Sequence, residues 1–125
     1  MSPPTDFDLT NEVAIVTGAG SRMPGQFFHL YPFAVVQTFL TILLHEGEIG
    51  NGRATAIILA RHGAKVALVD CNIEWAQETK RMIDAEGGIS EVVHADVTEE
   101  DSCKNAVAKT VEMFGTVNIL VNIGK

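Results

Sequence analysis

The run Lys65-Val-Ala-Leu-Val-Asp70 ends in a carboxylate that stands 18 residues past Gly52, in a glycine cluster that opens a helix. A strand, a glycine turn, a helix and a second strand closed by an acid constrain this chain more than any other feature. Such a unit folds as β-α-β with a right-handed crossover. The glycines let the main chain approach a pyrophosphate at the helix N-terminus, and the carboxylate accepts hydrogen bonds from ribose hydroxyls.

The surrounding pattern extends the unit. Val13–Thr17 is a short apolar run, as in a strand covered on both faces. Gly52–His62 reads as an Ala- and Ile-rich helix ended by Gly63, with His62 placed to satisfy carbonyls at its end. Asn72 caps a helix over Ile73–Glu86, with Ile73, Ala76 and Ile83 on its buried side and Gly87-Gly88 as its stop. Glu91–Ala95 is the third strand. Thr98 and Asp101 have capping-box spacing for a further helix, whose buried stripe is Cys103, Ala106, Val107, Thr110, Val111 and Phe114. Gly115 ends it, and Val117–Asn122 is the fourth strand. The order β-α-β-α-β-α-β predicts an α/β fold, half of a doubly wound parallel Rossmann sheet with spatial order 3-2-1-4. One incomplete domain over residues 11–125 follows a loose, flexible tail at residues 1–10, which has no apolar stretch and does not read as a signal peptide.

Composition narrows the partners. With 46% hydrophobic and 20% charged residues, the 125-residue chain suits a globular protein. A net charge of −7 without a basic stripe argues against nucleic acid. Cys71 and Cys103 form no metal or redox motif and read as reduced, packing thiols of the cytoplasm or another reducing compartment. His29, His45, His62 and His94 are too dispersed for a metal site, so none is expected.

One segment breaks the pattern. The glycine turn is interrupted at about residues 24–47. Residues 26–46 hold five of the eight aromatics, and no Lys, Arg, Asp or Glu occurs from Met23 through His45. Phe33–Leu44 is mostly apolar, but 12 residues fall short of the roughly 17–25 of a membrane helix. A membrane role, an excursion from the turn, and a read-through intervening sequence outside the ancestral protein are the three alternatives. Removing Gln26–Glu46 joins Ser21–Gly25 to Gly47–Ala54 in a coherent glycine turn.

These residues resemble the short-chain dehydrogenase/reductase family. Val13–Ser21 is similar to its first strand and the start of its T-G-x-x-x-G-x-G turn, and Gly50–Ala56 to the end of that turn and the first helix. Ala64–Asp70 resembles the second strand, Ala95-Asp-Val97 the adenine-side motif, and Leu120-Val-Asn122 the start of the N-N-A-G segment. The resemblance implies an oxidoreductase moving a hydride between a nicotinamide cofactor and an alcohol or ketone, in full-length relatives that form homo-oligomers. It places Gly18, Gly20, Ser21, Gly50, Asn51 and Gly52 at the pyrophosphate and its ribose. Asp70 goes to the adenosine ribose, Asp96 and Val97 to the adenine, and Asn122 to the far ribose. The plain alternatives are turn and helix-start glycines, a solvated strand-end acid, a loop acid and a backbone-bracing amide.

Asp70 predicts NAD over NADP, because a carboxylate there repels a 2′-phosphate, although Arg22 in the turn is able to pair with that phosphate. The sequence departs from the family where Arg22 and Met23 stand in place of glycines and Ile123 in place of the second Asn. Tyr31 is the only tyrosine, with Val35 and not lysine four residues on, and no catalytic Ser is assigned, so the resemblance implies cofactor binding without turnover. A methyltransferase-like domain binding S-adenosylmethionine and a non-enzymatic membrane-associated module remain the alternatives. An open fourth-strand edge predicts marginal folding and aggregation.

Overall fold

Every second residue of the first two strands faces a different layer of helices, and that alternation organises the molecule. The computed structural model describes residues 8–20 and 50–123. Strands β1 (Val13–Thr17), β2 (Lys65–Asp70), β3 (Ile89–His94) and β4 (Ile119–Asn122) alternate with helices α1 (Asn51–Arg61), α2 (Ile73–Ala85) and α3 (Glu100–Phe114). All strand pairs are parallel, in the order β3-β2-β1-β4. This is the predicted half of a doubly wound sheet.

Val16, Val66 and Leu68 point to one face, where Ala54, Ala56, Ile57 and Ala60 of α1 and Ala76 and Ile83 of α2 cover them. Ile15, Ala67, Val69 and Val93 point to the other, under Ala106 and Phe114 of α3. Small residues on α1 bring that helix close to the strands, and β1 is buried at all five positions. Each large aliphatic side chain withdrawn from water, such as Leu68, contributes about 2 kcal/mol.

Local signals explain the boundaries. Asn72 caps α2, its side-chain oxygen accepting from the Trp75 amide at 3.1 Å. The His62 ring meets the Ile58 carbonyl at 2.8 Å at the end of α1. Gly115 ends α3 at φ 89°, a left-handed position that suits glycine. Strand β3 begins at Ile89, two residues before the expected start, and β4 begins at Ile119 because Asn118 is spent on the start of pairing: its side-chain oxygen accepts from the Val13 amide at 2.9 Å.

Three expectations are corrected. Ile73 is 43% exposed, since the first residue of α2 stands beyond the strand end. The Thr98 capping box does not form: Glu99 is the N-cap, and both the Thr98 amide and hydroxyl donate to Asp96 Oδ1. Val107 and Val111 are exposed, because α3 meets the sheet through a narrower stripe centred on Ala106 and Thr110. The interruption at residues 24–47, the tail through Phe7, and Arg22 and Tyr31 lie outside the described residues.

Candidate dinucleotide site

The site gathers at the C-terminal edge of the sheet, where β1 leaves for the glycine turn and β2 ends in Asp70. In a parallel sheet, ligands bind at this edge, where strand order reverses between β1 and β4. Gly18 takes φ 67°, a turn that a residue with a Cβ resists. Gly52, 34 residues later in sequence, packs directly on it: a Cβ at Gly52 would lie 1.8 Å from the Gly18 carbonyl oxygen. Both flanks of the interrupted turn therefore converge at the N-terminus of α1. The N-cap there is Gly50, which brings no side-chain cap, and the positive end of the helix dipole lies at this junction.

Asp70 is buried, and each of its carboxylate oxygens takes one backbone amide. Oδ2 accepts from Gly20 at 2.9 Å and Oδ1 accepts from Asn72 at 2.9 Å. Each oxygen retains acceptor capacity, because a carboxylate offers about four lone-pair sites. At the start of α1, Asn51 Oδ1 is buried without a hydrogen-bond partner among the described residues. Two acceptors of this kind fit a group rich in hydroxyl donors, as a ribose is.

The other assigned residues are more dispersed. Asp96 is exposed in the loop after β3, and the Thr98 hydroxyl and amide bonds hold its carboxyl below the usual value of 3.8. Its own amide donates to Ser102 Oγ at 2.9 Å. The carbonyl of Val97 meets the Cys103 thiol at 3.5 Å. Asn122 ends β4 and uses its side-chain oxygen on the Thr17 hydroxyl at 2.8 Å, so it braces the sheet edge. Ser21 lies outside the described residues.

Sequence reasoning missed three residues that build the site. Thr17 accepts from the Ile123 amide at 2.9 Å while donating to Asn122, which locks the end of β1 to β4. Arg53, only 2% exposed, donates from Nε to Thr79 Oγ1 at 2.9 Å and from Nη2 to the Trp75 carbonyl at 3.0 Å. Thr79 in turn reaches the Ala19 carbonyl at 2.9 Å, and Gly20 packs against the main chain of Trp75 and Ala76. One sequence signal pointed to Arg53: it falls in helical register with Ile57 and Ala60 on the buried face of α1. An arginine there is tolerated only with several acceptors.

The four parallel strands and the glycine turn at their C-terminal edge define half of a doubly wound α/β sheet, and comparison with known proteins gives its family. The family model described as enoyl-(acyl carrier protein) reductase matches residues 47–124, more than half of the chain. General stress protein 39 of Bacillus subtilis is 41% identical over 81 residues, 64% of this chain and 28% of its own length. (+)-Borneol dehydrogenase 2 of Salvia officinalis is 39% identical over 82 residues, again 64% of this chain and 28% of that protein. A solved short-chain dehydrogenase/reductase from Burkholderia xenovorans superposes with a TM-score of 0.69 at 34% identity, over 92% of this chain and 36% of that one.

The chain belongs to the short-chain dehydrogenase/reductase family. It spans about 28% of the length of these curated relatives. The family assignment leaves the methyltransferase-like alternative without support. No helix among the described residues is long and apolar enough to cross a membrane.

Proposed function

We propose that this chain supplies the coenzyme-binding half of a nicotinamide-dependent oxidoreductase, with NAD preferred over NADP. The observation that carries the reading is the Asp70 carboxylate, bonded to the Gly20 amide at the end of β2 and facing the glycine turn at the start of α1. Asp70 accepts the adenosine ribose hydroxyls. Gly18, Gly20, Ser21, Gly50, Asn51 and Gly52 line the pyrophosphate and its ribose, Asp96 and Val97 the adenine, and Asn122 the far ribose. When bound, the coenzyme supplies hydride transfer to or from an alcohol or ketone.

These 125 residues contain one tyrosine and no Tyr-x-x-x-Lys pair, so they are expected to bind without turnover. Residues 24–47 are read as an interruption of a single turn. The contact between Gly18 and Gly52 supports that reading, as does the start of the family match at residue 47. Two free thiols, Cys103 half-buried and Cys71 exposed where the sequence suggested packing, suit a reducing intracellular compartment such as the cytoplasm.

Calorimetric titration of the chain, and of a version lacking residues 26–46, with NAD and with NADP tests the reading. NAD should bind more tightly than NADP. Asp70→Asn should erase the preference by about tenfold, roughly 1.4 kcal/mol, because it removes both the repulsion of a 2′-phosphate and one acceptor. Absence of binding by either version overturns the proposal.

A further inference from the structure

The peptide unit between Ala19 and Gly20 is gripped at both ends. Its N–H donates to Asp70 Oδ2 at 2.9 Å, and its C=O accepts from Thr79 Oγ1 at 2.9 Å. The Thr79 hydroxyl has a single hydrogen and two carbonyls within reach, Ala19 at 2.9 Å and Trp75 at 3.3 Å. Arg53 resolves that choice. A guanidinium only donates, so its Nε fills the acceptor side of the Thr79 oxygen at 2.9 Å, while its Nη2 supplies the Trp75 carbonyl at 3.0 Å. The Thr79 hydrogen is thereby directed to Ala19.

Arg53 and Thr79 are both buried, so water does not compete for these bonds. The plane of the Ala19–Gly20 peptide then sets the direction in which the Gly20 N–H pulls the Asp70 carboxylate. Asn72 anchors the other oxygen of that carboxylate.

We propose that Arg53 and Thr79 are positioning residues that orient Asp70 through the Ala19–Gly20 peptide and so set the choice between NAD and NADP. This rests on reading the glycine turn and Asp70 as the coenzyme site. Neither side chain need touch the coenzyme. They act by holding one carboxylate at a fixed angle to the adenosine ribose, where it accepts from a 2′-hydroxyl and opposes a 2′-phosphate. A loosened carboxylate turns away from both, so affinity for NAD falls while NADP is less strongly refused.

The test titrates the full chain with NAD and NADP in Thr79→Val, Thr79→Ser and Arg53→Lys variants. Thr79→Val keeps the side-chain volume and removes the hydroxyl. NAD affinity should drop about five- to tenfold while NADP affinity holds or rises. Thr79→Ser restores the hydroxyl and should recover the wild-type ratio. Arg53→Lys lacks the fork needed for both bonds and should shift the ratio in the same direction, which covers the case in which Thr79→Val does not fold. With a wild-type chain that binds NAD, variants that lose both coenzymes equally or keep the wild-type ratio overturn this inference alone. A wild-type chain that binds neither coenzyme overturns the site reading and this inference with it.

Discussion

Single atoms decide much of the behaviour at the site. At Gly52 a methyl group would meet the Gly18 carbonyl oxygen at 1.8 Å, far inside contact distance, with backbone on both sides. Gly52→Ala must push α1 away from β1, and the expected loss is about 3 kcal/mol, read as a melting temperature lower by about 10 °C. Asp96 gives a pH prediction. Thr98 holds its carboxyl below the usual value, so the folded form contributes stability above the unfolded value near 3.8 and loses it as pH falls through the depressed one. A carboxyl titration followed by NMR should place Asp96 below 3.8, and Thr98→Ala should move it back toward that value. The placement of Asp70 at the end of β2 was legible because a strand end and an acid are adjacent in sequence. Arg53 and Thr79 are 26 residues apart on different helices, and no local pattern joins them.

Elements form where the chain signals their ends and shift where side chains choose other partners. Asn72 was readable as a cap because it precedes a periodic run, and its bond to the Trp75 amide fits. Replacing it with alanine should cost about 1 kcal/mol and lower the chemical-denaturation midpoint without changing the slope. The capping box was misread for the opposite reason. Thr98 and Asp101 have the spacing, but Asp96 lies two residues upstream and takes the Thr98 hydroxyl and amide first. Helical periodicity likewise overestimated the width of the buried stripe of α3. Val107 and Val111 share a flank with the buried residues, yet the sheet is reached only through the stripe around Ala106 and Thr110.

The whole molecule inherits its two-faced core from the strand alternation, and the spatial order follows from right-handed crossovers with α1 and α2 on one face and α3 on the other. Crossovers that turn one way place β4 beside β1 and β3 beyond β2. Among the described residues, β4 pairs only with β1, and Leu120 on it is 65% exposed beside Ile15. An edge strand with an exposed leucine is a template for pairing with another chain. Leu120→Lys should reduce concentration-dependent light scattering while leaving the melting temperature within a few degrees. Unchanged scattering would show that association, if present, arises elsewhere.

Trp75 carries a practical consequence. It is the chain's sole tryptophan, its carbonyl is held by Arg53, and its main chain presses against Gly20. The half-exposed indole therefore sits like a gauge soldered to the hinge of the glycine turn. Its emission should change when that turn is filled or slackened, so occupancy is measurable by light alone, without dye or label.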